Sequence, residues 1–283
     1  MNLKEALRKK LTKGEISVLP RAFDVIGSIA IIDLPKELRK KEKIIGAELL
    51  KFANIKTVLK KESKIKGRLR TRKLKWISGI KTKETIHRES GCLFKLDVEK
   101  CYFSPRLSND RINIIKQVKP GERVLVMFSG VGPYPIVIAK NSKAKVVYGV
   151  ELGKAATKYA RENIKLNKLG NFTALQGDVK KVLPKLRKKG MRFDRIIMTR
   201  PQLKEDFLKD ALKVARESSI IHFYDFLFEK EMPDAAFDKI SKAVNEESKR
   251  KGSRIDSWKL IRWKKALEIG PRKWRARIDF FVF

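Results

Sequence analysis

A chain of 283 residues with 42% hydrophobic content can bury at least one full core, and two domains are expected. It carries 68 Lys and Arg against 32 Asp and Glu, a formal charge of +36 spread along the whole length, which predicts a polyanion partner. No apolar run approaches the roughly 20 residues that span a bilayer, and Met1–Lys10 lacks the apolar segment of a secretory signal, so a cytoplasmic protein with no membrane partner is expected.

In chain order, residues 1–18 read as a short basic helix or arm. A β-rich run with a central glycine, 22–33, ends at Pro35, and an apolar helical pattern follows from Glu37 to about Phe52. Residues 57–60 and 69–77 read as strands joined by a densely basic exposed hairpin, 60–75. This alternation predicts a small α+β domain over residues 1–97. Cys92 and Cys101, with His87 and His222, lack metal-ligand spacing, so unbridged thiols and no metal are expected.

From residue 98 to residue 283 strand and helix alternate. Strands are predicted at 124–128, 145–150, 173–176, 195–198, 219–224 and 275–283, and helices at 133–141, 153–167, 179–189, 203–216 and 233–251. Such spacing predicts an α/β fold, a doubly wound and mostly parallel Rossmann-like sheet closed by an antiparallel strand.

The first of these strands runs into a glycine turn, Phe128-Ser-Gly-Val-Gly-Pro133, and Glu151 follows at the end of the next strand. Glycines let the backbone approach a ligand, and the acid can take the two hydroxyls of a ribose. The loop lacks the third glycine of the dinucleotide pattern, which argues against NAD. Asp178, in the turn after the third strand, suits an adenine amino group with the Val179 amide beside it; a helix N-cap is its other reading.

Several colinear segments resemble the archaeal and eukaryotic tRNA guanine-37 N1-methyltransferase family. They include Gly67-Arg-Leu-Arg-Thr-Arg72, Tyr102-Phe-Ser-Pro-Arg-Leu107, Met127-Phe-Ser-Gly-Val-Gly-Pro133, Asp194-Arg-Ile-Ile-Met198, His222-Phe-Tyr-Asp225 and Pro271-Arg272. The resemblance implies a class I methyltransferase that uses S-adenosylmethionine and acts as a monomer on the anticodon stem-loop of tRNA. It implies a cofactor site of Arg111, Phe128, Ser129, Gly130, Gly132, Glu151, Asp178, Val179, Thr199 and Pro201. On the catalytic side it implies Asp110 as the base, Arg70 near the target guanine and Tyr102 lining the base pocket. Methylating guanine N1 needs a base for the ring proton and a hydrogen-bonding group where charge grows at O6, which is the chemistry that such a set supplies.

The sequence departs from that pattern at Val126, Gly153 and Thr199, where the family has polar groups. About 18 residues precede the resemblance, so the family's small N-terminal domain is expected to be absent. Two other outcomes are compatible with these changes: transfer of the aminocarboxypropyl group of the same cofactor to a wyosine precursor, or an RNA-binding paralogue without chemistry. For RNA, Lys64, Lys66, Arg68, Arg72, Arg106 and Arg272 are expected to meet phosphates, with Trp76 and the basic, Trp-containing tails 259–265 and 271–277 beside them.

Overall fold

The computed structural model describes residues 2–200 and 206–283. By contacts the chain divides into two compact units, Met1–Pro105 and Arg106–Phe283, so the division falls after Pro105 and not after residue 97.

In the first unit the expected short basic helix or arm is two helices, α1 (Leu3–Leu7) and α2 (Lys13–Val18). Each opens with a capping box, Asn2 with Glu5 and Thr12 with Glu15, which satisfies amides that the first turn would otherwise leave open. Leu3, Leu7, Leu11 and Leu19 join the core of this unit, so the segment is structural and not a free arm. Strands β1 (Asp24–Ile26) and β2 (Ile29–Ile32) pair antiparallel. The single helix expected over 37–52 is a 3₁₀ turn, Lys36–Lys41, leading into α3 (Glu42–Leu49). Then β3 (Thr57–Lys61) pairs parallel with β2, and β4 (Leu74–Gly79) pairs antiparallel with β3, giving the order β1-β2-β3-β4. The second strand of the basic hairpin thus begins at Leu74, not at Leu69. A separate hairpin, β5 (Glu84–Glu89) with β6 (Cys92–Asp97), was not expected from the sequence. Its polar first strand has no apolar run, and only the Ser90-Gly91 turn signals it. Cys92 and Cys101 are both buried and form no disulfide.

The second unit begins with α4 (Ser108–Ile115) and then winds strand and helix: β7 (Arg123–Met127), α5 (Pro133–Asn141), β8 (Val146–Glu151), α6 (Lys154–Leu166), β9 (Phe172–Gln176), α7 (Val179–Lys188) and β10 (Phe193–Met198). It continues through α8 (Leu208–Leu212), β11 (Ala215–Phe228), α9 (Asp234–Ser248), β12 (Trp258–Gly270) and β13 (Lys273–Val282). The sheet order is β12-β13-β11-β10-β7-β8-β9. β7 to β11 run parallel, and β13 is antiparallel to both β11 and β12. This is the doubly wound arrangement with a closing antiparallel strand that the alternation predicts.

Two expectations fail here. The helix expected over 203–216 is the five-residue α8 within the described residues, because β11 already starts at Ala215. The basic stretch 259–265 is not a tail but part of β12, the edge strand. The core runs from Leu125 and Met127 on β7 through Ile196 and Ile221 to Ile278 and Phe280 on β13. β7 lies between β8 and β10, where the strand order reverses, and ligands of such sheets bind beyond the carboxyl ends of the strands at that point.

Candidate active site

The loop after β7 turns on three residues with positive φ: Phe128 at 60°, Gly130 at 57° and Gly132 at 94°. Phe128 tolerates this because its ring packs edge-on against Phe207 at 5.2 Å. Gly132 is the N-cap of α5, and a Cβ there would stand 2.8 Å from Ile136. At Gly149, on β8 behind the loop, a Cβ would stand 2.9 Å from Ser129 Oγ. Both glycines therefore fix how closely the loop lies on the sheet.

Glu151 ends β8 and clasps this loop. Its Oε2 accepts from the Gly130 amide at 2.9 Å and its Oε1 from the Gly153 amide at 2.7 Å. A carboxylate has about four lone-pair positions, so two remain open beyond these two bonds. The departure at Gly153 thus keeps a role, since its amide helps orient Glu151. Val126 is fully buried in β7 and faces the core.

Ser129 Oγ is buried and has no hydrogen-bond partner among the described residues. An orphaned hydroxyl in a glycine loop is what a site built for a polar ligand leaves behind. The Thr199 hydroxyl, by contrast, is spent on the loop itself, with Phe128 O at 2.8 Å and Met127 O at 3.1 Å. Thr199 O accepts from Arg275 Nη2 at 2.8 Å, and the Arg275 guanidinium lies 4.4 Å from the centre of the Tyr224 ring. Pro201 lies outside the described residues.

Asp178 accepts from the Lys180 amide at 3.0 Å and is the N-cap of α7. Its capping reading is what the backbone shows, with one carboxylate oxygen engaged in that bond. The Val179 side chain is buried in the core. Arg111 is 1% exposed, its guanidinium 5.6 Å from the centre of the Tyr134 ring.

Of the expected catalytic set, Arg70 and Tyr102 meet in the first unit, the guanidinium 4.3 Å from the ring centre. A cation over an aromatic face stabilises both side chains.

Asp110 is different. It lies inside α4, not at its cap, and is 3% exposed. Its Oδ1 meets Arg277 Nη1 at 2.6 Å and Lys264 Nζ at 3.2 Å. Its Oδ2 accepts from Tyr134 OH at 2.7 Å and from Tyr224 OH. Three hydrogen bonds and the Lys264 ion pair thus surround the carboxylate. Burial pushes its carboxyl upward, but Arg277 and the two phenols outweigh this and hold it below the ordinary range. Burial and the Asp110 charge raise Tyr134, and burial with Tyr134 and Asp110 raises Tyr224, so both phenols stay protonated donors. These partners hold Asp110 ionised and make it an electrostatic anchor in this structure.

The anchor belongs to a longer buried chain. Arg277 Nη2 donates to Asp279 Oδ2 at 3.0 Å, and Asp279 Oδ1 meets His222 Nδ1 at 2.6 Å. His222 Nε2 lies 2.7 Å from Arg195 Nη1, and Arg195 forks onto Glu122 at 2.7 and 2.9 Å. Arg195 can only donate, so His222 Nε2 accepts and the proton sits on Nδ1, facing Asp279. Burial, with Arg195 and Arg277, keeps His222 below its ordinary value despite Asp279.

The sequence reading missed Tyr134, Tyr224, Arg275 and Arg277 as site residues. Arg275 and Arg277 stood among the RNA-contacting cations of the stretch 271–277, yet they are 2% and 0% exposed and committed internally. Lys64, Lys66, Arg68, Arg106 and Arg272 are exposed and Arg72 is half-buried. Lys60 and Lys75 of the basic hairpin are taken by the buried Glu42, at 2.5 and 3.2 Å. Trp76 and Trp263 are 39% and 38% exposed, whereas Trp258 packs on Phe237 and Phe280.

Among the described residues no group of His, Cys, Asp or Glu is placed to hold a metal ion, and no helix is long and apolar enough to cross a membrane.

A seven-stranded sheet of this order, with a glycine loop at its switch point and a carboxylate ending the next strand, is the frame of a class I methyltransferase. A profile of the TRM5/TYW2 methyltransferase domain matches residues 85–251, and one of the TYW2 N-terminal domain matches residues 3–82. The chain belongs to the TRM5/TYW2 methyltransferase family.

The tRNA (guanine(37)-N(1))-methyltransferase Trm5b of Pyrococcus abyssi is 39% identical over 267 residues, 93% of this chain and 76% of the relative. A tRNA(Phe) (4-demethylwyosine(37)-C(7)) aminocarboxypropyltransferase of Pyrococcus horikoshii is 30% identical over 282 residues, 99% of this chain and 96% of the relative. Among solved structures, the complex of aTrm5 and tRNALeu matches with a TM-score of 0.84 at 28% identity, over 100% of this chain and 78% of that one. P. horikoshii TYW2 in complex with MeSAdo matches with a TM-score of 0.81 at 28% identity, over 99% and 98%.

The expectation of a missing N-terminal domain is overturned: the match begins at residue 3. The physical reason is the packing of α1 and α2, whose leucines complete the core of the first unit.

Proposed function

We propose that this protein transfers the methyl group of S-adenosylmethionine to N1 of guanine 37 of tRNA. The observation that carries this reading is the 39% identity to Trm5b of P. abyssi over 93% of the chain. The loop chemistry supports it. Glu151 keeps two acceptor positions toward a ribose, Ser129 Oγ offers a buried hydroxyl, and Gly132 and Gly149 keep the backbone low. These residues, with Phe128 and Gly130, would hold the cofactor, and Asp178 would stand at the adenine end. When bound, the cofactor supplies an electrophilic methyl on a sulfonium.

Thr199 ties the loop to β10 through its hydroxyl, and Arg275 fixes Thr199 from β13. Arg70 and Tyr102 are the groups proposed to meet the flipped-out guanine, since a base inside a stack cannot present N1, and the ionised Asp110 is the group proposed to take the N1 proton. The cations at Lys64, Lys66, Arg68, Arg72, Arg106 and Arg272 would lie along the backbone of the anticodon stem-loop. The enzyme acts in this reading as a cytoplasmic monomer.

A second reading, transfer of the aminocarboxypropyl group, has an observation of its own. The N-terminal profile is that of TYW2, and the P. horikoshii aminocarboxypropyltransferase is matched over 96% of its length. The two are separated by labelling a tRNA that carries G37 and a tRNA that carries 4-demethylwyosine. Label from the cofactor methyl on G37 is the expected result. Label from the carboxyl carbon on the wyosine base, with none from the methyl, would establish the second reading. Neither label, with tight tRNA binding, would reduce the protein to an RNA binder.

A further inference from the structure

A cleft of about 550 Å³ lies in the second unit at the ends of β10 and β11 where those strands begin. Arg187, Arg192, Lys213, Arg216, Arg250 and Arg254 line it, against two carboxylates, Glu217 and Glu247. They come from separate elements: the last turn of α7, the turn before β10, the end of α8, the start of β11, and the end of α9 with the loop that follows. Six cations thus converge on this concavity.

Their compensation is incomplete. Lys213 pairs with Asp210 at 3.7 Å, Arg216 with Asp194 at 3.1 Å, and Arg250 with the buried Glu247 at 2.5 Å. Arg187, Arg192 and Arg254 have no carboxylate at ion-pair distance among the described residues. Arg192 is built into the wall, donating to Met191 O at 2.9 Å and Arg187 O at 3.3 Å. Burial, with the charges of Arg187 and Arg250, pulls its guanidinium below the ordinary value, so like charges are held together here at a cost that a bound anion would remove.

The glycine loop lies beyond the opposite ends of the same parallel strands. β10 has six residues, and at about 3.3 Å per residue the two places are roughly 20 Å apart. A ligand in the cleft is therefore not the one held by Glu151. The volume is that of a small-molecule site, and guanidinium forks match phosphate oxygens.

We propose that this cleft is a second ligand site of the protein, specific for phosphate groups and separate from the glycine-loop site. The phosphates belong either to a small oligophosphate or to an RNA backbone, and the test tells them apart.

Calorimetric titration with inorganic tripolyphosphate, and tRNA-transcript binding as a function of salt, are compared for three proteins. These are the wild type, Arg187→Gln/Arg254→Gln, and Lys143→Gln/Lys145→Gln, which loses the same charge on an exposed surface. Neither pair touches the glycine loop, and circular dichroism checks folding. The expected result is a loss of tripolyphosphate affinity of tenfold or more in the arginine variant and of less than twofold in the lysine variant. A parallel loss of tRNA affinity, with a salt slope shallower by about two, would assign the cleft to RNA backbone. Unchanged tRNA binding would assign it to a small phosphate ester. Equal losses in both variants, or no binding of tripolyphosphate by the wild type, would overturn the proposal.

Discussion

The family resemblance marks Asp110, and only the fold shows what surrounds it. Its four partners come from α5, β11, β12 and β13, so no spacing in the sequence brings them together. Removing one partner of a buried ion pair leaves the other charge uncompensated, at about 3–5 kcal/mol. Asp110→Asn is therefore expected to lower unfolding free energy by about that much, measured by urea denaturation. A variant that kept full stability and lost only turnover would confine Asp110 to the role of base.

His222 sets a pH dependence. In the unfolded chain it titrates near its ordinary value of about 6.5, and in the fold its pKa is lower. The unfolded state thus takes up the proton first on acidification. Stability from this group is full above about pH 6.5 and is lost as pH falls toward the folded value. Asp110 and Asp279 are also lowered, so their share persists to about pH 4 and is lost below it. His222→Gln can keep both hydrogen bonds without titrating. Its thermal midpoint should vary less between pH 7 and pH 5 than that of the wild type, as followed by scanning calorimetry.

At the scale of elements, the winding strands and helices were legible because their apolar periods are clean. Helix 133–141 is α5, and the strand expected over 145–150 is β8 with one residue moved at each end. β12 was not legible, because its alternation mixes Leu260, Ile261 and Trp263 with lysines on an edge, where charge guards against pairing with other chains. Arg275, Arg277 and Asp279 did leave a trace: they recur every second residue on β13, with Ala276, Ile278 and Phe280 between. That is a strand buried on both faces, one of them ionic, and not a flexible tail. The loop at 128–132 was legible from its glycines, though the clasp by Glu151 and Thr199 was not. Gly132→Ala should strain this turn, with an added Cβ 2.8 Å from Ile136. The expected cost is about 1–3 kcal/mol of local stability, read as weaker binding of S-adenosylmethionine by calorimetry with tRNA affinity unchanged. Equal cofactor affinity in both proteins would show that the loop conformation is not part of the site.

For the whole molecule, charge was the plainest message of the sequence, but its distribution was not. A formal +36 includes Arg195 and Arg277, which are fully buried, and pairs such as Lys60 and Lys75 on Glu42. What faces an RNA is the smaller set at exposed positions. Arg68→Gln/Arg72→Gln should weaken tRNA binding across different tRNAs and reduce the salt slope by about two, measured by filter binding. A slope equal to that of the wild type would place the RNA elsewhere.

The buried run from Glu122 through Arg195, His222, Asp279 and Arg277 to Asp110 has a consequence for descent as well as for folding. Each member is acceptable only because the next is present, and swapping a single one strands a charge in the interior, whereas replacing neighbouring members together with apolar groups of the same volume is close to neutral. The run should therefore be inherited as a block. Double-mutant cycles between adjacent members should give coupling energies of about 0.5–3 kcal/mol, and natural chains that differ at one of these positions should differ at the adjoining one too.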